Sequence, residues 1–218
     1  MTSLVSNQFE SAILKGRYLI DRSPYIEKYE KSSEPFLICL RPSGFDKELF
    51  LSMLQTYYDI SAAAKSEKLF RKLYIGKRTT PLASKFYTLF LDFSLIETST
   101  PSSTEDQYRT SITASIKKFY FQYGNPSDMP SVSSDPSNKP KTLLLNFLQS
   151  LTIKPIFIFM NEYDDFQKEI LENNSGAGYH IKGTNPIIQP LYHMIQEALL
   201  KKLIDRVFVL GIDTRADR

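Results

Sequence analysis

The residues whose types could do chemistry sit at the ends of apolar runs. Residues 35–50, PFLICLRPSGFDKELF, read as a strand that breaks into a short loop and then a helix, with Lys47 in the helix's first turn. A loop that cradles phosphates reads glycine, lysine, then serine or threonine at this point. The glycine lets backbone N–H groups close on the phosphates, the lysine reaches the terminal oxygens, and the hydroxyl ligates Mg²⁺. Here the three positions are Asp46, Lys47 and Glu48, preceded by Arg41 and Gly44. The lysine is kept, and a carboxylate stands on each side of it.

A second site gives the first its weight, because a lone lysine at a strand–helix junction is more often a surface residue. Residues 157–165, FIFMNEYDD, are four hydrophobic residues followed by Asn161 and Glu162. In a nucleotide hydrolase such a strand tip carries an aspartate that holds Mg²⁺ and a glutamate that polarises the attacking water. Glu162 has the right type for that base. Asn161 offers one neutral carbonyl oxygen where a hard cation needs a carboxylate. Asp164 falls one turn into the following segment, where a carboxylate suits a helix N-terminus. A third tip, GIDTR, brings Asp213, Thr214 and Arg215 to a place where a γ-phosphate could be sensed, or where they are plain surface. His180 and His193 fall in a glycine-rich loop and a helix, so they do not read as a metal pair, and no metal site is expected.

Four nearly continuous apolar runs would have to position these tips: 35–40, 86–93, 155–160 and 207–212. Strands buried on both faces look like this, and helical segments between them imply parallel pairing through right-handed crossovers. In residues 46–59, Leu49, Phe50, Met53, Leu54 and Tyr57 make an apolar stripe at helical spacing; Ile188, Leu191, Ile195, Leu199 and Leu203 make another, with Pro190 near its start. Residues 106–124 and 141–151 also read as helices. Stretches rich in Ser, Pro, Asn and Asp near 97–106 and 124–141, with a Gly-rich one at 173–186, read as mobile loops.

Composition limits the partners. The chain has 218 residues, a net charge of +3 and one cysteine. That charge is too small to argue for nucleic acid or an anionic membrane. No run approaches the roughly 20 apolar residues of a membrane span, and no signal-peptide core is visible. A single Cys39 within a strand suits a reducing, intracellular setting such as the cytoplasm.

The order and wording of these motifs resemble the AAA-ATPase-like proteins, in which a P-loop domain precedes a restriction-endonuclease-like domain. The loop in that family runs Arg-Pro-Arg-Arg-Phe-Gly-Lys-Thr-Leu-Asn-Leu-Ser-Met-Leu. This chain has RPSGFDKELFLSML and keeps Arg41, Pro42, Phe45, Lys47, Leu49 and the run Leu51 to Leu54. The family's Asp-Lys-Thr near the start corresponds to Asp21, Arg22 and Ser23, its Leu-Ile-Asp-Glu-Tyr-Asp tip to FMNEYD, and its fourth strand loosely to VLGIDTR. The departures fall on chemistry: glycine to Asp46, threonine to Glu48, aspartate to Asn161.

The resemblance implies an α/β, P-loop NTPase-like three-layer sandwich with a parallel sheet in the order 1-4-3-2. Residues 1–30 form an N-terminal segment packed on the core and residues 31–218 a truncated P-loop domain. The fifth strand and the C-terminal domain are expected to be lacking, which leaves strand one at a sheet edge. In the family, Arg41, Gly44, Asp46, Lys47, Glu48, Asn161 and Asp213 would border the nucleotide. Like charges about 4 Å apart at an effective dielectric near 20 repel by about 4 kcal/mol before screening, so Asp46 and Glu48 oppose a triphosphate. The expected function is therefore a pseudo-ATPase with weak or no nucleotide binding, no required cofactor, and an unidentified protein partner. The alternative is an ATPase with a reorganised site that uses ATP and Mg²⁺, with Lys47 on phosphate and Glu162 as base.

Overall fold

The computed structural model describes residues 8–41, 46–94, 96, 101–124, 139–161 and 188–212. Four strands, β1 (Phe36–Arg41), β2 (Tyr87–Asp92), β3 (Ile156–Asn161) and β4 (Arg206–Ile212), form one sheet in the order β1-β4-β3-β2. Every pairing is parallel: Ile38 lies opposite Val209, Ile158 opposite Val207, and Asp92 opposite Asn161. The architecture is the expected α/β sandwich, and β1 is at an edge of this sheet.

Side-chain alternation splits the core into two chemically distinct layers. Ile156, Ile158, Met160, Val207, Val209, Leu89 and Leu91 point to one face. There they pack under α5 (Pro101–Tyr123), α6 (Pro140–Ser150) and α7 (Ile188–Leu200). Phe90, Phe157, Phe159 and Phe208 point to the other, beneath α1 (Gln8–Leu14), α2 (Pro24–Lys31), α3 (Lys47–Tyr58) and α4 (Ala63–Phe70). The aromatic layer is knit by ring contacts: Phe157 stacks on Phe159 at 4.2 Å, Tyr58 meets Phe157 at 5.2 Å, and Tyr29 meets Phe208 edge-on at 5.5 Å. Such pairs add about 0.5–1.5 kcal/mol each beyond the area they bury.

Two expectations need revision. The stripe in α3 is real, but the helix is buried nearly all round. Ser52, Gln55 and Thr56 are buried as well as Phe50, Met53, Leu54 and Tyr57: α1 packs against α3, and Gln55 Nε2 donates to Thr88 Oγ1 of β2 at 3.4 Å. Phe9 N of α1 donates to Ser52 Oγ at 3.1 Å, which explains a polar residue there. In addition, α5 starts at Pro101, inside the stretch 97–106 read as a loop. Proline at a first helical position has a fitting φ and lacks only an N–H that would be orphaned anyway, and Glu105 and Asp106 follow within two turns. Residues 97–100, most of 124–141, and 173–186 lie outside the described residues.

The sheet's β2 edge is closed by α5. Thr88 N donates to Tyr123 OH at 3.0 Å and Ser111 Oγ donates to Asp92 O at 2.5 Å, which occupies outward-facing backbone groups. Burial raises the Tyr123 hydroxyl pKa above the usual tyrosine range, so it stays a neutral donor and acceptor there. Cys39 is a free, buried thiol in β1. Among the described residues, no helix is long and apolar enough to cross a membrane.

The segment leading into α2 is fastened by Asp21 and Ser23. Asp21 Oδ1 accepts from Ser23 N at 2.9 Å and Ser23 Oγ at 2.6 Å, while Oδ2 accepts from Tyr74 N at 2.7 Å. Ser23 Oγ in turn accepts from Ile75 N at 3.1 Å. The next residue, Gly76, is required by space: a Cβ there would lie 2.0 Å from the Phe70 carbonyl oxygen. Ser23→Ala strands the buried Ile75 N–H and is expected to cost about 1–3 kcal/mol in urea unfolding. A loss below about 0.5 kcal/mol would show that this fastening does not hold the segment.

Candidate functional site

The carboxyl ends of β1, β2, β3 and β4 lie on one side of the sheet, because all four strands are parallel. Open α/β sheets bind ligands at this end. Lys47 begins α3 just beyond the end of β1, and Asn161 is the last residue of β3. One strand separates β1 from β3, so their tips stand about two strand spacings, roughly 9.6 Å, apart. The two motifs thus belong to one end of the sheet.

Asp46 adopts the left-handed conformation, φ 45° and ψ 37°, immediately before α3. Glycine enters this region without steric cost, and aspartate and asparagine are the other residues that tolerate it. The backbone geometry of a glycine position is therefore kept while the side chain is not. The Asp46 carboxylate is exposed and makes no capping hydrogen bond to α3, though its carbonyl oxygen accepts the Phe50 N–H at 3.1 Å. It projects from the very residue whose amide should approach a phosphate.

Lys47 is not the surface lysine that its position alone suggests. Its side chain is 4% exposed, and Nζ lies 4.0 Å from Glu48 Oε1. The separation is at the outer limit of an ion pair and beyond hydrogen-bond distance. Only the backbone of Arg41 is described. Gly44, Glu162, Asp164, His180, Asp213, Thr214 and Arg215 lie outside the described residues. His193 is exposed on α7, and among the described residues no group of three or more His, Cys, Asp or Glu side chains could hold a metal.

Asn161 is completely buried. Its Nδ2 donates to Asp92 Oδ1 at 3.1 Å, across the β2–β3 register. Only the nitrogen can face a carboxylate in this way, which fixes the amide's orientation. Asn161 Oδ1 is buried and has no hydrogen-bond partner among the described residues. Asp92 Oδ1 also accepts from Ser94 N at 3.2 Å and Ser94 Oγ at 2.7 Å. From α5, Lys118 feels the same carboxylate: burial pulls its pKa below the usual lysine range, and Asp92 and Asp59 push the other way. Sequence reading passed over Asp92. The available signal was an acid next to the end of the apolar run 86–93, much as Asn161 directly follows 155–160.

A mainly apolar cavity of about 170 Å³ is bordered by Tyr18, Leu19, Ile20, Leu49 and Phe50, with Asp21 and Arg22 also in its lining. Asp46 itself lines it. The extended segment fastened by Asp21 and Ser23 forms one of its walls.

A family model described as a predicted AAA-ATPase matches residues 5–216. The chain belongs to this AAA-ATPase-like family. The match covers the loop, the β3 tip and the fastened N-terminal segment, so the P-loop, nucleotide-binding character of the family frames the site. No curated protein and no solved structure matches the chain.

The conformation of residue 46 makes a direct test. In urea unfolding, Asp46→Ala is expected to lose about 1 kcal/mol, because alanine pays the full left-handed cost. Asp46→Gly should be no worse than the unaltered chain. An alanine variant as stable as the glycine variant would mean that residue 46 is not held left-handed.

Proposed function

We propose that this member of the AAA-ATPase-like family is a pseudo-ATPase, with weak or no nucleotide binding, and serves as an interaction or scaffold module for a protein partner inside the cell. The observation that carries this reading is Asp46: a glycine-type backbone bearing an exposed carboxylate at the start of the phosphate-loop helix. Its charge opposes a triphosphate by up to about 4 kcal/mol at close range. Glu48 brings a carboxylate within 4.0 Å of the buried Lys47 ammonium, beyond hydrogen-bond distance, and competes with phosphate for that cation. Asn161 replaces the metal-holding carboxylate with an amide already committed to Asp92. Phosphoryl transfer depends almost entirely on positioning and charge neutralisation, and these substitutions remove both. No cofactor is required by this reading.

One observation favours a second reading, an ATPase with a reorganised site that uses Lys47 on phosphate, Glu162 as base, and Mg²⁺. The apolar cavity beside Asp46 is large enough for a flat ring, since an apolar cavity of about 150 Å³ accommodates benzene.

Phosphate release from ATP separates the two. The purified chain is expected to show none above buffer. Combining Asp46→Gly with Glu48→Thr should raise ATP·Mg²⁺ affinity at least tenfold, by about 1.4 kcal/mol, while either change alone does little. Turnover by the unaltered chain that is lost in Lys47→Ala and in Glu162→Gln would overturn the pseudo-ATPase reading in favour of the second.

A further inference from the structure

The carboxylate missing from the tip of β3 has a counterpart one strand away. Asp92 ends β2 as Asn161 ends β3, and the two residues face each other in register. Three donors converge on Asp92 Oδ1: the Asn161 amide at 3.1 Å, Ser94 N at 3.2 Å and Ser94 Oγ at 2.7 Å. The Asp92 backbone is held from α5 by Ser111 Oγ. The carboxylate is thereby pinned by its own following turn and by β3, on a backbone anchored to α5. It has little freedom to turn away from position 161.

An amide satisfies this neighbour, and a carboxylate cannot. With Asp at position 161, two acceptors would face each other at about hydrogen-bond distance, and like charges in a buried setting resist joint ionisation. We propose that Asp92 and Asn161 form a transposed pair, in which Asp92 is a positioning residue that dictates an amide at 161 and turns its carbonyl oxygen away from β2. The single negative charge of the paired tips sits on β2 in place of β3. Restoring a metal-holding carboxylate at 161 is then a change of two residues, not one.

The fold-level arm of this inference is independent of the pseudo-ATPase reading; the nucleotide arm rests on it. The first arm is a double-mutant cycle on the full chain: unaltered, Asp92→Asn, Asn161→Asp, and both. Asp92→Asn keeps side-chain size and can donate to a carboxylate at 161 with its nitrogen in the place of Oδ1, at the expense of the Ser94 bonds. Asn161→Asp alone is expected to lower Tm by about 5 °C or more, given about 2–4 °C per kcal/mol for a chain of this size. The swapped pair should regain part of that loss, giving a coupling between the two positions. Additive effects at the two positions would overturn the proposal, since uncoupled sites add. If Asn161→Asp alone fails to fold, a folded swapped chain supports the proposal and an unfolded one overturns it.

The second arm reads function, which a purely structural role would not move. In the Asp46→Gly, Glu48→Thr background, adding Asn161→Asp should raise ATP·Mg²⁺ affinity at least tenfold when residue 92 is Asn, and not when it is Asp. An equal gain with Asp92 in place would overturn the pairing. Coupling in the thermal cycle with no nucleotide binding in any background would uphold the pair and count against the loop as the decisive defect.

Discussion

The parallel register of the four strands is the constraint from which the rest of the molecule follows. Because every strand runs the same way, their carboxyl ends share one side of the sheet, and α3 begins there, just beyond the end of β1. Because side chains alternate, β2, β3 and β4 send aliphatic residues to one layer and the rings of Phe90, Phe157, Phe159 and Phe208 to the other. The aromatic layer is the one that receives α3, the helix that starts at Asp46. Burial of α3 nearly all round holds the loop end of that helix in place whether or not a ligand is present. The scaffold around the site is therefore stabilised by packing, and the chemistry positions are free to depart from it.

Those departures share one character. On the proposed reading, each replaces a group that would admit phosphate or hold metal with one that does not. Asp46 keeps the left-handed turn. Glu48 lies within ion-pair range of Lys47. Asn161 donates to Asp92 instead of accepting a cation's charge. A buried amide is costly when unpaired; Asp92 supplies a partner for the Asn161 nitrogen from within the chain, while Asn161 Oδ1 has none among the described residues.

Much of this was legible in the sequence because the signals were of the strongest kind. Four continuous apolar runs separated by helical periods gave the strands to within a residue or so, and the parallel order followed from the family resemblance. The burial of Ser52, Gln55 and Thr56 was hidden, since nothing local in the sequence reports the contacts with Phe9 and Thr88 that satisfy Ser52 and Gln55. The start of α5 at Pro101 was missed because a run of Pro, Ser and Thr has loop composition, while proline's fitness for a first helical turn is a positional effect. Asp92 was missed for a different reason: its importance lies in a cross-strand neighbour 69 positions away, which no local pattern encodes. Asp46, by contrast, was singled out for its chemistry, and its glycine-like backbone could be seen only in three dimensions.

The central claim is that the loop end of the sheet repels a nucleotide, and titration calorimetry of the unaltered chain with ATP and Mg²⁺ tests it most directly. The account predicts no binding tighter than about millimolar, roughly −4 kcal/mol. A dissociation constant in the micromolar range, with a 1:1 stoichiometry, would contradict it.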